Sequence, residues 1–300
     1  AADRLAAFLA ATGASGIAAA DAVTGRWLGA QAAALPTGCR LWTPAAAALA
    51  GLADRTQQVE AARAVGLDVP PTYVVRAALA GSVPKGQFPV VARPLDATTA
   101  AATARRFARR GDLAAQLRKA GALAPPLVVQ PHRPGALLLV RGCRGHDGGV
   151  FALDAFLAER TLHGRPVSLR PAPLPPRLAA RCAAFADAGG LTGPFELAFT
   201  VAAGRLWFDE AAYGFGRAGR LAMRLGYDLP RHLLVAHGAA PRPPTPDSVA
   251  AACAVDRSTL LRHGRALLAD SLPAVDRRSD DSRWRLLASD LGDLIGGRGA

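Results

Sequence analysis

The sequence predicts an α/β chain with α+β lobes, and three observations lead there. Short apolar runs and helix-spaced apolar residues alternate along the first fifty positions, the pattern of a parallel α/β unit. Further apolar runs (TYVV, FPVVARP, LVVQP, ALLLVRG, LAFTV, RLWF) recur between helical stretches and Gly/Pro breaks. The segment RLWFDEAAYGFGRAGRLAMRLGYDLP, Arg205 to Pro230, reads as a strand ending in paired carboxylates, a Gly-rich turn and a helix stopping at Gly226.

Taken in order, DRLAAFLAA is a helix, GIAAAD a short buried strand, VTGRWLGAQAAAL a second helix, and CRLW a second strand closed by Pro44. Residues 54–78 then form a strong unit. Asp54 is placed to cap a helix with its short carboxylate, Gly66 to end it, and Pro70–Pro71 to force an extended exit into TYVV. FPVVARP is an apolar strand with one cation, Arg93. The stretch after it, LDATTAAATARRF, has no glycine, so hydroxyls of Thr98, Thr99 and Thr103 are its available polar groups. LVVQPHRPG is another strand. The runs on either side of GCRGHDGG predict a hairpin, followed by a basic loop with Arg160, Arg165 and Arg170. Residues 177–190 are helical, LTGPFELAFTV and RLWFDE are strands, PRPPTPD is a linker, and SRWRLLASDLGDLIGG is amphipathic through Trp284, Leu286, Leu287, Leu291 and Leu294.

Composition narrows the function classes. The net charge of +13 invites a nucleic-acid partner, but nearly all of the basic residues are arginines spread along the chain, and aromatics are scarce. The dense cluster Arg105, Arg106, Arg109 and Arg110 reads as a solvated helix face. No nucleic acid is expected. No uninterrupted run of about 18 apolar residues predicts a transmembrane segment, and no basic region followed by an apolar stretch marks a leader. Cys39, Cys143, Cys182 and Cys253 form no CxxC pair and have no histidine at zinc spacing, so isolated thiols in a reducing, cytoplasmic setting are expected.

The order and spacing of these motifs resemble the ATP-grasp superfamily of carboxylate–amine ligases. DR-helix-GLDVPPT resembles its entry motif with Arg55 at a lysine position. FPVVARP resembles its phosphate strand with Arg93 at another, VVQPHRPG its hinge strand, and WFDEAA…GYDLP its metal-binding strand and following helix. The resemblance implies two α+β lobes clasping a cleft: an ATP-grasp domain over 54–240, with lobes 54–126 and 127–240. It is preceded by a shortened parallel α/β unit (1–53) and followed by a Pro-rich linker and helical tail (241–300).

By the same resemblance ATP and Mg2+ are the expected cofactors. Arg55, Arg93, Gln130 and His132 are the nucleotide contacts, and Glu210, Glu196 and Asp209 the metal ligands. Arg217 and Arg220 are the candidates for binding a substrate carboxylate. Neighbours on a strand face opposite ways, so only one of Asp209 and Glu210 is expected to enter the cleft unless the strand bulges. Partners implied are a small-molecule carboxylate and an amine, with a homodimer as the form of any self-association. The chain departs from the family pattern at Ala198, Ala212, Gly214, Pro131 and the glycine-free loop. Two functions therefore follow: an ATP- and Mg-dependent ligase acting through an acylphosphate, with an atypical site, or a non-catalytic scaffold of the same fold binding a partner or small acidic ligand.

Overall fold

The computed structural model describes residues 2–76, 82–98, 104–121, 124–162, 165–216, 218–238 and 254–255. Thr99, Thr103, Arg217, Cys253 and the amphipathic stretch around Trp284 lie outside the described residues.

The N-terminal unit runs α1 (Ala2–Thr12), β1 (Gly16–Ala18), α2 (Ala22–Ala30) and β2 (Arg40–Trp42). β1 and β2 pair in parallel, with Ile17 opposite Leu41, as the alternating pattern predicts. Asp21 caps α2 through the Thr24 N–H. α3 (Ala46–Ala53) leads to α4 (Arg55–Ala64). Asp54 caps α4 by accepting from the Thr56 and Gln57 N–H groups. Gly66, at φ 76°, ends it in the left-handed conformation that glycine adopts without steric cost.

A four-stranded sheet of order β3-β6-β4-β5 follows, built from β3 (Tyr73–Val75), β4 (Val90–Pro94), β5 (Arg105–Phe107) and β6 (Leu127–Pro131) and covered by α5 (Arg110–Ala120). Val75, Val90, Leu113, Leu117 and Val129 form its core. Two expectations are corrected here. Arg105 and Arg106 lie on β5 rather than a helix, because Phe107 on the same strand enters the core and fixes an extended backbone. The strand over VVQP, whose counterpart in the family the resemblance expects to offer backbone groups from a strand edge to adenine, is β6, and it is interior, paired with β3 on one side and β4 on the other.

The second sheet has order β11-β10-β7-β8-β9-β12, with β7 (Ala136–Arg144), β8 (Val150–Leu162), β9 (Arg165–Ala172), β10 (Gly193–Ala202), β11 (Arg205–Tyr213) and the short β12 (Ala254–Val255). The hairpin around GCRGHDGG is present as β7–β8. The basic loop expected after it is instead the strand pair β8–β9, carrying Arg160, Arg165 and Arg170 on its ladder. One face of this sheet (Leu138, Val140, Phe195, Leu197, Phe199, Phe208) packs against α3, α4 and α6 (Pro176–Ala188) through Leu49, Ala62, Cys182 and Phe185. The other (Leu139, Phe156, Leu169, Ala198) is covered by Ala218, Leu221 and Ala222 at and within α7 (Gly219–Arg224), while α8 (Leu229–Ala236) packs on Cys143.

The outer edge of β11 is closed by side chain and loop rather than by another strand. The Gln58 amide accepts from the Ala211 N–H at 2.8 Å and donates to the Ala211 carbonyl at 3.1 Å. The Phe208 N–H donates to the Asp68 carbonyl at 2.8 Å. Backbone polar groups that would otherwise be buried unpaired are satisfied in this way, and α4 is fixed beside the strand that carries the paired carboxylates. Among the described residues, no helix is long and apolar enough to cross a membrane.

Candidate functional site

Asp209 and Glu210 turn to the same side of β11 because the strand bulges at Asp209. The β10–β11 pairing steps from Ala198 opposite Glu210 to Phe199 opposite Phe208, leaving Asp209 as the extra residue. A bulge of this kind re-aims one side chain. Asp209 turns to the face that carries Thr200, whose hydroxyl donates to it at 3.1 Å. Glu210, across from Ala198, already points there.

Two arginines from distant segments meet these carboxylates. Arg55, the first residue of α4, reaches Glu210 at 2.7 Å while its Nε donates to the Pro94 carbonyl at 3.1 Å. Arg93, on β4 of the other sheet, reaches Asp209 at 2.7 Å and also donates to its backbone carbonyl at 3.3 Å. Both pairs are shielded, with side-chain exposures of 9% and 12% for Arg55 and Glu210. Burial first, then the neighbouring Arg93, pulls the Arg55 guanidinium down to about 10, and the Asp209 and Asp96 carboxylates oppose that shift. Arg55, Arg93, Asp209 and Glu210 thus form one charge-balanced quartet spanning the two sheets.

The other predicted residues are distributed around it. His132 donates its backbone N–H to Pro89 at 2.8 Å. Its ring is lowered from the ordinary histidine value by burial and by Arg106, against the pull of Asp209. Gln130 is buried and donates to the Thr72 hydroxyl at 3.0 Å. Arg220 lies on α7, and Arg217 is outside the described residues.

Glu196 sits on the same sheet face, opposite Ala212 and diagonal to Glu210, but it is 3% exposed. It accepts from the Ala218 N–H at 3.3 Å and lies 4.0 Å from Arg141, a guanidinium that is 2% exposed and donates to the Phe215 carbonyl at 3.2 Å. Arg141 in turn lies opposite Asp154 on β8, so a Glu–Arg–Asp row crosses three strands. Burial pushes the Asp154 carboxyl up and Arg141 down. Gly216 lies against Glu196 so closely that a Cβ would run into the carboxylate.

Several of these roles were missed from sequence. A signal existed for Arg141, a lone cation inside the apolar run ALLLVRG. None existed for Thr200 or for Gln58, whose partners come from elsewhere in the chain.

A glycine at position 214, where the resemblance leads to an arginine, has a local cause. Gly214 sits at φ 107°, bridges to Asp21, and a Cβ there would strike the Ala20 carbonyl. The Phe215 N–H also donates to Ala20 at 3.2 Å. The β1–α2 turn of the N-terminal unit therefore fills the space that a longer side chain would need.

The fold is ATP-grasp. The chain is similar over 82% of its length to Rhizobium etli pyruvate carboxylase (TM-score 0.63, 17% identity), of which it spans 24%. It is similar over 83% of its length to Campylobacter jejuni biotin carboxylase in complex with β,γ-ATP (TM-score 0.63, 15% identity), of which it spans 59%. It is similar over 74% to Bacillus anthracis D-alanine–D-alanine ligase complexed with ATP (TM-score 0.53, 13% identity), spanning 76% of that chain. No protein-family model matches the chain, and no curated protein matches it by sequence.

The site fits the two expected cofactors unequally. A guanidinium carries five N–H donors, more than one carboxylate accepts, so Arg55 and Arg93 suit the phosphates of ATP while still anchored. Magnesium takes hard oxygen ligands in near-octahedral array, commonly one or two carboxylates completed by phosphate oxygens and water. Here Glu210, Asp209 and Glu196 each face a guanidinium, Ala198 lies in an apolar cluster, and among the described residues no three His, Cys, Asp or Glu side chains gather to hold a metal. Every candidate carboxylate is thus engaged by a guanidinium, and the donor set does not fit a magnesium site without breaking those pairs.

Proposed function

We propose that the chain binds ATP in the cleft between its two sheets and joins a small-molecule carboxylate to an amine. The observation behind this reading is the convergence of Arg55 and Arg93, from different elements, on Asp209 and Glu210. ATP, when bound, supplies the phosphoryl group that converts a carboxylate into an acylphosphate open to an amine. The chain's own residues neutralise and orient. Arg55 and Arg93 hold the phosphate oxygens in a shielded setting, where fixed charges act strongly. Asp209 and Glu210 hold the two guanidinium planes, and Thr200 fixes Asp209. His132 is a further proposed nucleotide contact. Arg220 and Arg217 are the proposed contacts for the substrate carboxylate.

A thermal-shift series tests this reading. Stabilisation that grows from AMP to ADP to ATP and disappears in Arg93→Gln supports it; unchanged melting at millimolar ATP rejects it.

A second reading, a non-catalytic scaffold of the same fold, is favoured by one observation: Ala218 and α7 seal Glu196 and Ala198 at the cleft floor, each 3% exposed. Release of ADP on adding amino-acid mixtures separates the two readings. A ligase releases it, and a scaffold binds ATP without releasing it.

A further inference from the structure

We propose that this cleft takes its phosphate ligand without a divalent cation, with Arg55 and Arg93 supplying the positive charge on the phosphate oxygens. The inference rests on the nucleotide reading above and starts from the disagreement between the donor set and magnesium.

Each candidate carboxylate faces a guanidinium. Glu210 faces Arg55 at 2.7 Å, Asp209 faces Arg93 at 2.7 Å, and Glu196 faces Arg141 at 4.0 Å. Each pairing is held by a further contact. Arg55 is tied to the Pro94 carbonyl, Arg93 to the Asp209 carbonyl and Arg141 to the Phe215 carbonyl, while Thr200 fixes Asp209 and the Ala218 N–H fixes Glu196. Across the ladder from Glu196 and Glu210 stand Ala212 and Ala198, which add no oxygen ligand.

Charge arithmetic points the same way. Arg55, Arg93, Asp209 and Glu210 sum to zero. A dication on the two carboxylates would compete with both guanidinium groups for their oxygens and add a third positive centre beside the two arginines. A phosphate instead approaches two anchored guanidinium forks and adds negative charge between them. The residue type matters here. A planar fork can present one edge to a carboxylate and another to a phosphate, a geometry that a lysine ammonium lacks. Arginine at both positions, 55 and 93, is what a metal-independent phosphate site requires.

The test is isothermal titration of ATP into wild-type protein at matched ionic strength, once with EDTA and once with excess magnesium. The expected result is saturable binding in EDTA, with an affinity within about threefold of the value in magnesium. Binding seen only with magnesium, or tightened by about tenfold or more, overturns the inference and leaves the nucleotide reading standing. Absence of binding in both buffers overturns the two together. Manganese added alone, followed by electron paramagnetic resonance, is expected to remain in its free aqueous form; a tightly bound signal overturns the inference. Arg55→Gln and Arg93→Gln are expected to weaken ATP in EDTA by about tenfold or more, through loss of a charge-assisted contact. Unchanged affinity in both folded variants overturns it.

Discussion

Arg55 and Glu210 lie 155 residues apart in sequence and meet at 2.7 Å, joining the first turn of α4 to the bulged end of β11. Removing one partner of a shielded ion pair leaves the other charge buried and uncompensated. Glu210→Ala is expected to destabilise the fold by about 2–4 kcal/mol, and Arg55→Met by a similar amount, whereas the double substitution recovers most of the loss. Urea denaturation of the three variants checks this. Additive losses would show that the two residues are not coupled.

Gln58 closes the edge of β11 with one side chain. Gln58→Leu keeps the volume but leaves the Ala211 N–H and carbonyl without that partner, at a cost of about 1–3 kcal/mol. Hydrogen exchange at Ala211 is expected to accelerate in the variant relative to amides in the middle of β10.

Gly214 is required by both conformation and space. At φ 107° and against the Ala20 carbonyl, Gly214→Ala is expected to cost about 2–4 kcal/mol. Gly214→Arg is expected to be worse because the longer side chain meets the same turn. A melting temperature unchanged in Gly214→Ala would mean that the N-terminal unit does not pack there.

The fold was legible where local chemistry decides it. The Asp54 cap, the Gly66 stop, the parallel β1–β2 pair and the hairpin around Gly145–Gly149 all follow from nearby residues. Less was legible where a distant contact decides. Arg105 and Arg106 carry helix-compatible charges, yet Phe107 takes them into a strand. The β9 segment reads as a loop because its prolines and arginines obscure an alternation that only β8 makes visible. At the site, the sequence motifs pointed to Arg55, Arg93 and Glu210, and the fold brings Arg55 to Glu210 and Arg93 to the neighbouring Asp209. The bulge at Asp209 and the burial of Glu196 were not legible, since each depends on Thr200, Arg141 or Ala218 arriving from elsewhere.

His237 gives the chain an acid-sensitive joint. Its ring stacks on Trp42 with centroids 4.5 Å apart, and burial, His146 and Arg40 lower it from 6.5 to about 4. The unfolded chain therefore binds this proton more readily than the folded one. The stabilisation is complete above pH 6.5 and is lost as the pH falls toward 4. His237→Phe keeps a stacking ring without the titration. Its melting temperature is expected to fall less steeply than that of wild type across this window. Asp154, whose carboxyl is raised by burial, acts oppositely in both proteins and cancels in the difference. Parallel pH profiles would rule out His237 as the cause.

The most direct test of the central claim, that Arg55 and Arg93 form a phosphate site between the two sheets, is calorimetric titration of ATP into wild-type protein and the Arg55→Gln/Arg93→Gln double variant. The account predicts saturable one-site binding to wild type and a loss of about a hundredfold or more in the double variant, about tenfold for each charge-assisted contact. Equal affinities in two folded proteins, or only heats of dilution with wild type, would contradict it.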